Sequence, residues 1–232
     1  MDVRSTFRRS PALAALPDNS LDSLVEVSSL QRLRRGEALR REGEMILSVV
    51  VIGHGLVRES VPSIGTRPGM ALLFGPGETP GIAEVTRRPR SAWTTEAAAE
   101  TDPVIVARIP IDPYLDALAA HAGAAMGALE ETAGHACALL RRLMLASAPA
   151  DVRIATEIID LADRFGDELE GGGVLVPLRL TRAELAGLCG VSPTTAAHTI
   201  SAWTHAGILS THDGAIRIDN LARLQYVANG TA

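Results

Sequence analysis

The chain has 232 residues, of which 47% are hydrophobic, and a formal charge of −5, with a mean hydropathy of +0.16 and a pI near 5.7. That is enough apolar material for one large or two modest domains, and it excludes a disordered chain. The acidic balance excludes a protein that coats nucleic acid or an anionic membrane over its whole surface, but not a small local basic face.

All 22 basic residues are arginine. The two cysteines, Cys137 and Cys189, form no CxxC and no Cys/His pattern at zinc spacing, so a reduced compartment is expected. Neither a signal-peptide core nor an apolar run of membrane-spanning length occurs. A cytoplasmic location without a membrane partner follows as the expectation.

Residues 11 to 30 place Leu13, Leu16, Leu21, Leu24 and Val27 at helical spacings. Pro17 interrupts the pattern, and Asn19 or Ser20 can restart it, so two short helices are expected. From about 33 to 110 the texture changes to short apolar runs (VVVIG, LVRESV, MALLF, VIVARI) separated by Gly and Pro. Such punctuation reads as an antiparallel sandwich or roll.

The stretch from Asp112 to about Ala146 reads as one long helix. Met126, Leu129, Ala133, Ala136, Leu140 and Leu143 follow the alternating three-four spacing of a coiled-coil seam, which predicts a homodimer interface. Pro149 ends it. Residues 151 to 165 then form an amphipathic helix through Ile154, Ile158, Leu161 and Phe165, and the glycines at 166 and 171 to 173 mark a surface loop.

Thr181 and Glu184 make a capping box that starts a helix at Arg182. Gly190 supplies a sharp turn. Ser192 caps a second helix whose first residue, Pro193, loses no hydrogen bond there. Ala196, Ile200 and Trp203 form its buried stripe, and Gly207 stops it. A hairpin of Ile208 and Leu209, a turn at 212 to 214, and Ile216 to Ile218 completes a helix-turn-helix with a wing. Such a second helix enters the major groove with its N-terminal residues at the base edges. The residues expected at DNA are Ser192, Pro193, Thr194, Thr195 and His198, with Arg182 placed to meet a phosphate.

The segments LPDNSLDSL, RRGEALRREGE, GPGE, RSAW, VRIATEIIDLA, LTRAELAGLCGVSPTTAAHTISAWTHAGIL and DGAIRIDNLARL, in this order, resemble the cyclic-AMP receptor protein and fumarate-nitrate regulator (Crp/Fnr) family. The resemblance covers nearly the whole chain. It implies an α+β architecture: a cyclic-nucleotide-binding-like antiparallel β-roll (jelly roll) over 1–111, a long dimerisation helix over 112–147 and a C-terminal winged helix-turn-helix over 148–232. It also implies a dimeric transcription regulator that binds a pseudo-palindromic duplex and works with RNA polymerase.

Two departures qualify that implication. The family's recognition helix commonly begins Ser-Arg-Glu-Thr-Val-x-Arg, whereas here Ser192 is followed by Pro193, Thr194, Thr195, Ala196, Ala197 and His198. The guanine-reading arginines and the cytosine-reading glutamate are absent, so an altered operator is expected.

In the effector region the family's Gly-Glu-Leu becomes Gly81-Ile82. Only Arg90 and Ser91 match its phosphate-binding pair, and its Thr-Ser pair aligns with Ala138 and Leu139. Gly81, Arg90 and Ser91 are the candidate effector residues, with cyclic AMP not expected. Two cysteines are too few for an iron–sulfur cluster. Haem would rest on His54, His121, His135 or Cys137 by residue type alone and is not expected either. No nucleophile elbow, phosphate loop or zinc-protease motif occurs, so an enzyme is not expected. The missing arginines leave one alternative, a ligand sensor whose winged helix contacts protein.

Overall fold

Four consecutive apolar residues, Val49, Val50, Val51 and Ile52, lie on one strand of the N-terminal unit, and all four are buried. Successive strand side chains point to opposite faces, so such a strand must be covered on both sides. The computed structural model, which describes residues 2–60, 71–87, 90–170, 172–212 and 214–230, shows both covers. Met70 of the expected MALLF strand and Asp213 of the expected wing turn lie outside the described residues.

The described residues up to 138 form one compact unit and those from 139 onward a second. The first opens with helices α1 (Val3–Phe7), α2 (Pro11–Ala14) and α3 (Asp18–Glu26), followed by strands β1 (Ser29–Leu33), β2 (Ala38–Arg40), β3 (Ser48–His54), β4 (Val57–Ser60) and β5 (Ala71–Phe74). Helix α4 (Ile82–Arg87), strands β6 (Glu96–Ala99) and β7 (Val104–Pro110), helix α5 (Ile111–Ala120) and the long α6 (Ala122–Met144) follow. Two antiparallel sheets, in the orders β1-β7-β3 and β2-β6-β4-β5, make the roll.

Val50, Ile52, Val104 and Val106 of the first sheet pack on Val57, Phe74, Ala97 and Ala99 of the second. The alternate residues Val49, Val51, Ala107 and Ile109 pack on Phe7, Leu13, Leu21, Leu24 and Tyr114 of the helices. One strand therefore serves two cores.

Some details of the helices differ from the sequence reading. Residues 11 to 30 hold the two expected short helices, α2 and α3, and a further helix, α1, precedes them on a capping box of Asp2 and Ser5. Helix α3 starts at Asp18, directly after Pro17, and Val27 is half-exposed beyond the helix end. Helix α4 interrupts the expected all-strand stretch. The expected continuous helix from 112 breaks at His121, whose backbone is extended at φ −129° and whose ring meets the Ser20 hydroxyl at 2.9 Å. Helix α5 lays Ile111 and Tyr114 into the core under β3 and β7, and α6 sets out separately.

Helix α6 buries Ala124, Gly127, Ala128 and Glu131 against its own unit. A Cβ on Gly127 would stand 2.5 Å from the Pro11 carbonyl, so the glycine permits backbone contact with α2. On the other face, Met126, Leu129, Ala133, Ala136, Leu140 and Leu143 fall along one stripe, and its large members are exposed: 53% (Met126), 58% (Leu129), 58% (Leu140) and 68% (Leu143) accessible.

The second unit follows a 3-10 turn (Leu145–Ser147) with α7 (Ala150–Phe165), β8 (Asp167–Glu168), β9 (Val174–Val176), α8 (Arg182–Cys189), α9 (Pro193–His205), β10 (Leu209–His212), β11 (Ala215–Ile218) and α10 (Leu221–Ala228). Its sheet runs β10-β11-β9-β8. Strands β8 and β9 extend the expected two-stranded wing to four, with Ile216 opposite Val176. Ile154, Ile158 and Leu161 of α7 are buried as their periodicity predicts, and Phe165 is half-buried beneath the Arg164 guanidinium. No helix among the described residues is long and apolar enough to cross a membrane.

Glu131 is the costly residue of the first unit. One carboxylate oxygen accepts the Thr79 amide, and the other is buried without a hydrogen-bond partner. Burial raises its pKa from an ordinary 4.5 to about 7. An unfolded chain releases this proton near 4.5 while the folded chain keeps it to about 7, so stability falls as pH rises through that window. The loss is about 3 kcal/mol by that linkage. Urea unfolding at pH 5 and pH 8 should show Glu131→Gln escaping most of this loss and exceeding the parent in stability at pH 8; equal pH dependence in both proteins would contradict the assignment.

Candidate nucleic-acid interface

The helix-turn-helix is fixed by local chemistry at each of its joints. The Thr181 hydroxyl accepts the Glu184 amide at 3.1 Å while the Glu184 carboxylate accepts the Thr181 amide at 2.7 Å, so α8 begins with both free amides satisfied. Gly190 ends it in the left-handed region at φ +64°. Arg153 of α7 donates to the Gly190 carbonyl at 3.0 Å and so ties the turn to the supporting helix. The Ser192 hydroxyl accepts the Thr195 amide at 3.0 Å, with Pro193 at the first position of α9. Ala196, Ile200 and Trp203 face the core, joined there by Leu185, Leu188 and Cys189 of α8. Burial raises the Cys189 thiol well above its usual range and leaves it unreactive.

The opposite face of α9 is open. Ser192, Pro193, Thr194 and His198 are exposed, Thr195 and Arg182 half-exposed. All six lie on the caps, first turns or outward face of α8 and α9. The exposed stripe continues beyond them to Ser201 and His205, whose ring Nδ1 lies 2.7 Å from the Ser201 carbonyl. Sequence reasoning missed these two, although they repeat the spacing of Thr194 and His198 one and two turns further on. Residues 152 to 227 hold six arginines against nine carboxylates, a net −3. Among those arginines, Arg153 is engaged at Gly190, Arg164 at Asp160 and Arg217 at Asp219.

In the second unit a buried ion pair joins Arg142, at the end of α6, to Glu157 of α7 at 2.5 Å, with the two side chains 17% and 7% exposed. Burial raises the Glu157 pKa and the adjacent guanidinium opposes that rise. Removing one partner would strand a buried charge.

In the first unit the candidate effector residues take separate places. Gly81 has φ +77°, and a Cβ there would stand 2.5 Å from the Trp93 ring and 2.8 Å from the Arg40 guanidinium. Arg40 is the cation beside Gly81. It is 6% exposed, stacks on Trp93 at 4.0 Å, donates to the Pro80 carbonyl at 3.0 Å and the Thr95 hydroxyl at 3.1 Å, and pairs with Glu59 at 2.7 Å.

Arg90 instead reaches Asp112 with its side chain 60% exposed, and Ser91 accepts the Ile46 amide through its carbonyl. A buried arginine in a short strand leaves no sequence signal that could have assigned it. Of the histidines, His135 packs edge-on to Phe74 at 4.8 Å, His121 meets Ser20, and His54 is exposed at the end of β3.

Residues 152–227 match the family described as the Crp-like helix-turn-helix domain. No curated protein matches the chain. Among solved structures, FixK2 from Bradyrhizobium japonicum is similar with a TM-score of 0.72 at 19% identity, over 86% of this chain and 96% of that one. A transcriptional regulator of the Crp/Fnr family from Eubacterium rectale is similar at 0.70 and 14%, over 96% and 99%. Another regulator of that family, from Thermus thermophilus, gives 0.63 and 22%, over 88% and 100%. The resemblance to the Crp/Fnr family is thereby borne out, with the α+β fold it implied.

Thr181→Ala removes one half of the capping box while leaving the reading face intact. It should lower stability by about 1 kcal/mol in chemical unfolding; an unchanged midpoint would show that the box does not hold α8.

Proposed function

We propose, from a Crp-like helix-turn-helix domain carried on a Crp/Fnr-type fold, that this chain is a dimeric, sequence-specific DNA-binding transcription regulator that does not depend on cyclic AMP. The observation that carries the reading is the open face of α9. Its N-terminal turn, capped and rigid, presents Ser192, Pro193, Thr194, Thr195 and His198 on the side away from the buried stripe, the geometry by which a recognition helix enters the major groove. Arg182 at the start of α8 meets a phosphate.

The dimer rests on α6. The large residues of its seam are exposed while its small residues are used against its own chain, and a second copy of the same stripe is their natural cover. Two recognition helices about 34 Å apart then read a pseudo-palindrome, from which the regulator works on RNA polymerase. The effector region supports independence from cyclic AMP: the guanidinium beside Gly81 is that of Arg40, engaged with Glu59 and Trp93, and Arg90 is paired with Asp112.

A second reading, protein contact through the winged helix, has the net charge of −3 in its favour. Salt separates the two. Duplex affinity should fall linearly with salt on a log–log plot as arginine–phosphate contacts are exchanged for counterions. No affinity for duplex at low salt would overturn the DNA reading and leave the second.

Leu140→Glu places like charges in the seam and should convert the dimer to a monomer by light scattering. An unchanged mass would place the interface elsewhere.

A further inference from the structure

We propose that the half-site read by α9 is built of A·T pairs, with thymine methyl groups beneath Thr194 and Ala197 and a purine N7 beneath His198. The inference rests on the DNA-binding reading above and narrows it. Helix α9 carries no arginine, lysine, carboxylate or carboxamide. Each of the strong polar readers of a base edge is therefore missing: the guanidinium or ammonium for guanine, the amide for adenine and the carboxylate for cytosine.

Two of the hydroxyls at the helix start are also engaged. Ser192 Oγ accepts the Thr195 amide at 3.0 Å and lies 2.8 Å from Thr195 Oγ1, which leaves the Thr195 methyl as that side chain's open group. What faces outward is the Pro193 ring, the methyl and hydroxyl of Thr194, the half-buried Ala197 methyl and the His198 imidazole.

A surface of methyl groups addresses the one apolar feature of the major groove, the C5-methyl of thymine. It also rejects G·C pairs. They carry no C5-methyl, so this apolar contact is lost there, which lowers affinity for that sequence. The imidazole adds a hydrogen bond to N7, a group that both purines carry, so His198 fixes purine against pyrimidine without choosing between adenine and guanine. With nine carboxylates against six arginines in the module, selectivity rests on this face rather than on charge.

The test is selection of random duplex by the full-length protein at low salt, followed by replacement of single thymines with deoxyuridine in the selected operator. Half-sites should be enriched in A·T pairs. Loss of one contacted methyl should weaken binding about fourfold, the transfer value of one such group. Thr194→Ser, which keeps the hydroxyl and the cap, should bind thymine and deoxyuridine operators equally at one position.

G·C-centred half-sites, or wild-type protein indifferent to deoxyuridine at every position, would overturn the assignment while leaving DNA binding in place. A pool that is never retained would overturn DNA binding itself, and this proposal with it. The deoxyuridine comparison uses unaltered protein and needs no variant to fold.

Discussion

The structure turns on a helix with two apolar faces and one chain to cover them. On one side of α6, Ala124, Gly127 and Ala128 let the helix lie against α2 at backbone distance, and Glu131 caps the arrangement by accepting the Thr79 amide. On the other, four large apolar side chains stay more than half in water. Covering each is worth on the order of 1 kcal/mol or more. The small residues on the inner side cannot be exchanged for this outer surface, because they are already committed to contact within the chain. The proposed dimer follows from that asymmetry, and a dimer is what gives a single short recognition helix a pseudo-palindromic target.

Within the second unit, rigidity and reading are divided among different residues. Trp203, Ile200 and Ala196 anchor α9, Arg153 fixes the turn, and the Arg142–Glu157 pair holds the end of α6 to α7. None of these touches the open face. That face is free to vary without harm to the fold, so a Crp-like module can keep its form with no arginine on α9. The first unit shows the same separation: the roll is intact, while the place beside Gly81 is filled by Arg40 and Trp93.

The module from Thr181 to Gly207 was legible in the sequence almost to the residue, because caps, turn glycine and buried stripe are local signals that act within a few positions. The strands were legible as a class. Their two-sided burial shows in the run from Val49 to Ile52, which alternation alone would misplace. The break at His121 was not legible, since neither neighbouring residue is a proline or a glycine and the ring's contact, Ser20, is distant in sequence. Arg40 escaped for a related reason: a strand arginine is ordinarily solvated, and its burial depends on Glu59, Thr95 and Trp93, each distant in sequence. Contacts made across the fold leave no periodicity to read.

In the proposed dimer, two chains joined through α6 present two copies of α9 to one duplex. The mass of the protein–DNA complex under native conditions measures that directly. Two chains on each selected duplex are expected, and one chain for each duplex, with the free protein also monomeric, would rule the dimer out.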